Sequence, residues 1–279
     1  MFLAARERFN TGHSTNSSES DGDVALARSG ETRVVLRLKV DLSIGMIKSL
    51  LDLKMDMMTG ACRSVLPSGY WHHPEDSADS PCHMTFDDGP FPETTPKLLE
   101  ILNEHNVKAT FFFTGTNVEQ FPELVKLTKD HGHQIGNHTY KHLPPLFIPK
   151  GLFEREVDAT NLLIKNACGE APTVFRPPYG LIDSDKASTL TDREMTCVYW
   201  GPVAEDWNSV GVSEVVRRIV RQTRSGSVIV LHESRRNSRQ CLKSTEEILR
   251  WSVAKGLTFD HIRPEKPHLK FKRDLTQSA

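Results

Sequence analysis

Two carboxylates in succession, Asp87 and Asp88, close the run Thr85-Phe86-Asp87-Asp88-Gly89-Pro90, and two histidines four positions apart, His138 and His142, follow further along the chain. One carboxylate and two imidazoles suit a divalent metal that keeps an open coordination position, and the spare carboxylate can then act as a base on an activated water. The chemistry this points to is metal-assisted hydrolysis. Along an extended strand the two aspartates would face opposite sides, so both reach one site only if the strand breaks there, which Gly89 and Pro90 favour. Two adjacent ionised carboxylates also repel and call for nearby positive charge. A metal held by Asp88, His138 and His142, with the Arg176 guanidinium against Asp87, would supply it. Each signal is weak alone: Asp-Asp-Gly-Pro can be a plain turn, and paired histidines occur by chance on surface helices.

Three further segments carry groups of matching chemistry. Phe175-Arg176-Pro177-Pro178-Tyr179-Gly180 has a rigid proline centre that can aim the Tyr179 amide at a developing oxyanion while Arg176 anchors the base. The apolar run Val228-Ile229-Val230-Leu231 delivers His232, a group suited to general-acid work near neutral pH. Glu205-Asp206-Trp207 offers a carboxylate for that histidine and an aromatic wall for a sugar ring. Of the remaining histidines, His72, His73, His131 and His133 sit beside turn residues and read as surface groups, and His83 reads as a core or edge histidine.

These groups need a frame. Short apolar runs recur at 83–86, 110–113, 134–136, 173–175, 196–200, 228–231 and 257–259. Helix-like segments lie between most of them: 94–103, then 118–129 capped by Asn117, then 214–224 capped by Ser213 with Gly226 as its stop. Such alternation predicts a mostly parallel sheet with helices outside, and about seven strands suit a distorted (β/α) barrel. Asp87, Asp88, His138, Arg176, Tyr179, Asp206 and His232 all follow such runs, and parallel α/β folds gather functional groups at the carboxyl ends of their strands.

With 279 residues, 38% hydrophobic and 25% charged, the chain has an ordinary globular composition with room for a full core. A net charge of -1 gives no reason to expect nucleic acid or a strongly charged partner. No run reaches membrane-spanning length and no membrane anchor is evident. The five cysteines are dispersed without metal or redox spacing and fit reduced, mostly buried thiols. Residues 1–80 read as a partly disordered extension and linker, with an amphipathic stretch over 40–58; residues 1–56 read as dispensable. Residues 81–265 form the catalytic domain, and 266–279 a tail. With no visible export signal the expected location is cytoplasmic, with cell-envelope association suggested by the substrate class below.

In order, these segments resemble the five motifs of the polysaccharide deacetylase family, also called the NodB-homology domain or carbohydrate esterase family 4. The spacers match too, as in Lys108-Ala109-Thr110-Phe111-Phe112 and Gly132-His133-Gln134-Ile135-Gly136-Asn137-His138. The resemblance implies a distorted (β/α) barrel holding a divalent metal, usually Zn2+, with Co2+, Mn2+ or Ni2+ as alternatives. It implies Asp87 as base, Asp88, His138 and His142 as ligands, and Arg176 as the group that positions the base. It further implies Tyr179 as an oxyanion donor through its amide and His232 as the acid. Asp206 is expected to assist His232, and Trp207, Val230 and Pro178 to line the substrate. The implied reaction removes acetyl groups from N-acetylglucosamine-containing glycans such as chitin oligomers or peptidoglycan. Alternatives are an O-acetyl xylan esterase, an amidohydrolase acting on a small cyclic amide, and a non-catalytic carbohydrate-binding barrel. Two departures stand out: Val203 occupies the first position of the fourth motif, usually Asp, and Val230 stands where the last motif usually has Leu.

Overall fold

The computed structural model describes residues 62, 64–75 and 77–263. The expected stretch over 40–58, the extension 1–56 and the tail 266–279 lie outside the described residues.

Six strands form one parallel sheet: β1 (His83–Asp87), β2 (Ala109–Phe113), β3 (Gln134–Asn137), β4 (Val174–Phe175), β5 (Thr196–Cys197) and β6 (Val228–His232), in the order β5-β4-β3-β2-β1-β6. The central strands β1 and β2 are buried at every position, which is why they read as apolar runs rather than as alternating ones. Register sets the site. Asp87 pairs with Phe112 on one side and with His232 on the other, so the first aspartate and the last histidine end neighbouring strands at the same level.

The run 257–259, expected as a seventh strand, makes a single bridge from Phe259 to Cys82. Closure comes from elsewhere. Tyr70 and Trp71, assigned from sequence to a linker, are buried, and residues 70–73 join the edges: Tyr70 bridges Val198 beyond β5, and His72 bridges Ser227 before β6. Residues 201–203 also cross to β6, with the Gly201 amide on the Val228 carbonyl and Val203 bridging Val230. The sheet is thereby curled into a barrel, and the folded domain begins before residue 81.

Helices α1 (Thr95–Glu104), α2 (Gly115–Gln120), α3 (Pro122–Asp130), α4 (Lys150–Cys168), α5 (Ser184–Thr191), α6 (Val212–Gln222) and α7 (Ser238–Ala254) connect the strands. The single helix expected over 118–129 is divided at Phe121, because Pro122 lacks an amide to continue the ladder and instead opens α3. Asn117 lies within α2 rather than capping it. Gly211, not Ser213, precedes α6. The main core packs β1, β2 and β6 against α1, α3, α6 and α7 through residues such as Phe86, Phe111, Leu98, Ile219 and Ile248. His83, at the end of β1 away from the aspartates, is buried between the Tyr70 hydroxyl (2.7 Å) and the Asp260 carbonyl (2.9 Å). Its burial lowers its pKa to about 4. His133, expected at the surface, is also buried, and its Nδ1 accepts the Ala109 amide at 3.1 Å. All five cysteines are free thiols. No helix among the described residues is long and apolar enough to cross a membrane.

Candidate active site

The strand breaks where the sequence requires. Asp87 is the last residue of β1, and Asp88 turns into the left-handed region at φ 75, which Asp tolerates better than most residues. The two carboxylates therefore point into one cleft with different surroundings.

Asp87 is buried, and its Oδ1 accepts from Arg176 Nη1 at 2.7 Å. Arg176 follows β4 and is held as firmly as its partner: Nη1 also donates to Thr85 Oγ1 (2.7 Å), Nη2 donates to the Tyr199 carbonyl (3.0 Å), and the guanidinium lies 4.2 Å over the Phe112 ring. Burial opposes charge on Asp87, but Arg176 and the His138 and His232 imidazoles outweigh it and hold the carboxyl below its ordinary value. Asp87 is therefore ionised at neutral pH.

Asp88 Oδ1 is buried without a hydrogen-bond partner, and lies 3.6 Å from His138 Nε2 and 3.3 Å from His142 Nε2. The ligand atoms of Asp88, His138 and His142 fall within 4.8 Å of one another. His138 Nδ1 is 2.7 Å from the Arg176 carbonyl, an acceptor only, so Nδ1 carries the proton and Nε2 presents its lone pair to the cleft. Burial pushes His138 down to about 4, which keeps the ring neutral, as a ligand must be. An orphaned carboxylate oxygen facing two imidazole nitrogens fits a divalent cation.

The two histidines converge from a loop, not from a helix face. Thr139 (φ 62) and His142 (φ 55) both adopt left-handed backbone, and neighbouring elements pin the loop. The opening of α2 donates Gly115 and Thr116 amides to the Thr139 and Tyr140 carbonyls, and Glu156 on α4 accepts the Lys141 amide at 2.6 Å. Asn137 braces the start: its Nδ2 donates to the Val157 carbonyl and its Oδ1 accepts the Thr139 amide. At Gly115 a side-chain carbon would collide with the Tyr140 ring and stand 2.6 Å from Thr160 Oγ1, so the close approach requires glycine.

Across the cleft, both oxygens of buried Asp206 are committed to His232, one to the backbone amide (2.8 Å) and one to Nδ1 (2.8 Å). His232 Nε2 then faces Asp87 Oδ2 at 4.0 Å. Burial works against charge on His232, but the Asp206 carboxylate prevails and pushes it up to about 9. Val203 at the usual aspartate position thus leaves the acid fully supported. Trp207 is 50% exposed and stands edge-on to His232 with centroids 5.0 Å apart. Tyr179, in left-handed backbone at φ 59, is 67% exposed and lies edge-on to His142. Pro178 and Val230, expected to line the substrate, are buried and instead back the site from within the barrel.

Sequence reasoning missed Glu233. It is 1% exposed, its amide donates to the Asp87 carbonyl, and its Oε2 accepts the Thr94 and Thr95 hydroxyls at 2.8 and 2.5 Å. The other oxygen packs against Gly89, where a side chain would collide with it. Burial raises this carboxyl to about 7. Asn117 was also missed as a brace: its Nδ2 donates to the Asp88 carbonyl at 2.7 Å.

A parallel barrel with an Asp/His acid–base pair and an Asp-His-His set at one rim has the layout of a metal-assisted hydrolase. Residues 75–198 match the polysaccharide deacetylase family. A peptidoglycan-N-acetylglucosamine deacetylase of Bacillus cereus is 38% identical over 151 residues, covering 54% of this chain and 55% of its own length. A chitooligosaccharide deacetylase of Sinorhizobium fredii is 36% identical over 152 residues, covering 54% of this chain and 71% of its own. Among solved structures, a peptidoglycan N-acetylglucosamine deacetylase in complex with an N-oxidanyl-benzamide superposes with a TM-score of 0.66 at 32% identity, over 69% of this chain and 90% of its own. The chain belongs to the polysaccharide deacetylase family, the NodB-homology or carbohydrate esterase family 4 enzymes.

Proposed function

We propose that this chain is a metal-dependent hydrolase that removes N-acetyl groups from N-acetylglucosamine-containing glycans. The observation that carries this reading is the division of labour between adjacent carboxylates: Asp87 is locked to Arg176 and faces His232, while Asp88 leaves an unpartnered oxygen toward two imidazoles. Asp88, His138 and His142 would hold the cation, with one oxygen and two nitrogens suited to Zn2+, and Co2+, Mn2+ or Ni2+ as alternatives. Bound there, it supplies Lewis acidity that polarises the acetamide carbonyl and acidifies the attacking water.

The chain's own residues do the rest. Ionised Asp87 accepts the proton of the attacking water, and Arg176 fixes the direction from which it does so. His232, protonated at neutral pH, donates from Nε2 to the amine nitrogen as the C–N bond breaks, releasing acetate and a free amine. Asp206 keeps the His232 Nδ1 proton in place and stabilises the imidazolium. Tyr179 offers its amide to the oxyanion, and Trp207 with the Tyr179 ring forms aromatic walls on which a sugar ring can stack.

The test is metal analysis with acetate release from N-acetylchito-oligomers and acetylated xylan, with and without chelator. His138→Ala is expected to lose most bound metal. Asp87→Ala is expected to keep metal and lose turnover by about 10²–10⁴-fold. Equal metal retention in both variants, or metal binding without hydrolysis of any acetylated glycan, would overturn the reading.

A further inference from the structure

The net charge of -1 conceals a local imbalance. Arg236, just before α7, and Arg239 and Lys243 on its first turns are exposed and line a groove of about 510 Å³, whose far wall is the opening of α6. Among the described residues, none of the three makes a described ion pair or side-chain hydrogen bond, whereas Arg193, Arg218 and Arg250 each pair with a carboxylate. Glu247 is the acid on the same wall. Three unpaired cations against one acid give the groove a positive potential.

Its floor is rigid and continuous with the catalytic rim. Buried Asn237 donates Nδ2 to the Trp207 carbonyl at 2.9 Å and accepts the Ser209 hydroxyl at 2.8 Å. Gln240 donates to the Asp206 and Asn208 carbonyls and accepts the Gly211 amide. The segment that carries the support of His232 and the aromatic wall is thus also the floor of the cationic groove. A glycan stacked on Trp207 would run its neighbouring residues past these charges. A neutral amino-sugar oligomer offers them nothing that an uncharged groove would not. A strand with carboxylates on alternate sugars offers acceptors that Arg binds bidentately.

We propose that this groove is a subsite for carboxylates flanking the reacting acetamide, so that the substrate class is an anionic amino-sugar strand with lactyl carboxylates and not neutral chitin. This rests on the deacetylase reading, and the experiment separates the two. Binding is measured by calorimetry on the full chain carrying Asp87→Asn, with N-acetylchitopentaose and with peptide-free peptidoglycan strands as probes, alongside the same protein with Arg236→Gln, Arg239→Gln and Lys243→Gln added. Exposed charge pairs are individually weak, so three together should weaken binding of the carboxylated strand about tenfold at low salt. Binding of the neutral oligomer should not change, and added salt should erase the difference. Equal weakening for both probes, or none for the carboxylated strand, overturns the subsite. Turnover of both probes by the wild-type chain is read in parallel. No turnover with charge-dependent binding intact sinks the deacetylase reading alone, and turnover with charge-independent binding sinks the subsite alone.

Discussion

Replacing Asp206 by Asn tests the acid half of the mechanism. Both Asp206 oxygens contact His232, and the carboxylate, working against burial, lifts the imidazole from 6.5 to about 9. Asn keeps the size and one acceptor but removes the charge, so burial is left opposed only by more distant carboxylates and the pKa should return to 6.5 or below. A general acid must hold its proton, so activity falls as pH rises through its pKa. At pH 8 a group of pKa about 9 is roughly nine-tenths protonated and one of about 6.5 roughly 3%, which gives about a 30-fold lower kcat for the variant. At pH 6 the deficit from this cause should be less than about twofold. The assay is acetate release across pH 5 to 10 with metal content checked at each point. An alkaline limb that coincides with wild type, with a loss uniform at all pH values, would refute the assignment of that limb to His232. Stability should move in step. The folded pKa of His232 lies above its unfolded value, so its contribution is fully present below about pH 6.5 and is lost as pH rises through about 9. The 2.5-unit shift (9 less 6.5) bounds that contribution at an order of 3 kcal/mol. The Tm gap between wild type and Asp206→Asn should accordingly narrow from pH 6 to pH 10.

Glu233→Gln should flatten a different pH dependence. Burial raises this carboxyl from 4.5 to about 7, so the folded state binds its proton more tightly than the unfolded chain, and wild-type stability should fall as pH rises from about 4.5 to 7. Thermal melts of the Gln variant should lack that decline, and an unchanged slope would exclude Glu233 as its source. Gly115→Ala should displace Tyr140 and with it the loop from His138 to His142, so weaker metal binding is expected with the fold intact by circular dichroism. Wild-type metal affinity in this variant would show that the loop holds its shape without the close approach.

The sequence disclosed the site better than its supports, for a physical reason. Asp87, Asp88, His138, Arg176 and His232 each follow an apolar run, and parallel strands bring their ends together whatever the intervening segments do. Glu233 and Asn117 gain their importance from pairings between elements distant in the chain: β6 beside β1, and α2 under the Asp88 turn. Nothing in their immediate neighbours marks that. Residues 70–73 lie in a stretch with Pro67 and Gly69 and so read as linker, although the adjacent aromatics Tyr70 and Trp71 were a signal that something there is buried. Conversely, 257–259 has an apolar pattern but only one bridge, because residues 70–73 and 201–203 already occupy the gap beside β6. The overall charge averaged away the cluster at Arg236, Arg239 and Lys243.

Val203 shows how a motif departure becomes interpretable only with geometry. From sequence, losing the first aspartate of the fourth motif threatened the tuning of the acid. The structure commits both Asp206 oxygens to His232, at Nδ1 and at the backbone amide, so one carboxylate meets the two demands that acid makes. Val203 instead extends a lateral row: it bridges Val230, which pairs with Thr85, whose hydroxyl accepts from Arg176. A second carboxylate in that row would compete with Asp87 for the guanidinium, and an apolar residue there leaves Arg176 Nη1 to Thr85 and the base. The departure therefore bears on how Arg176 is shared, while the proton on His232 is governed by Asp206 alone among its close partners.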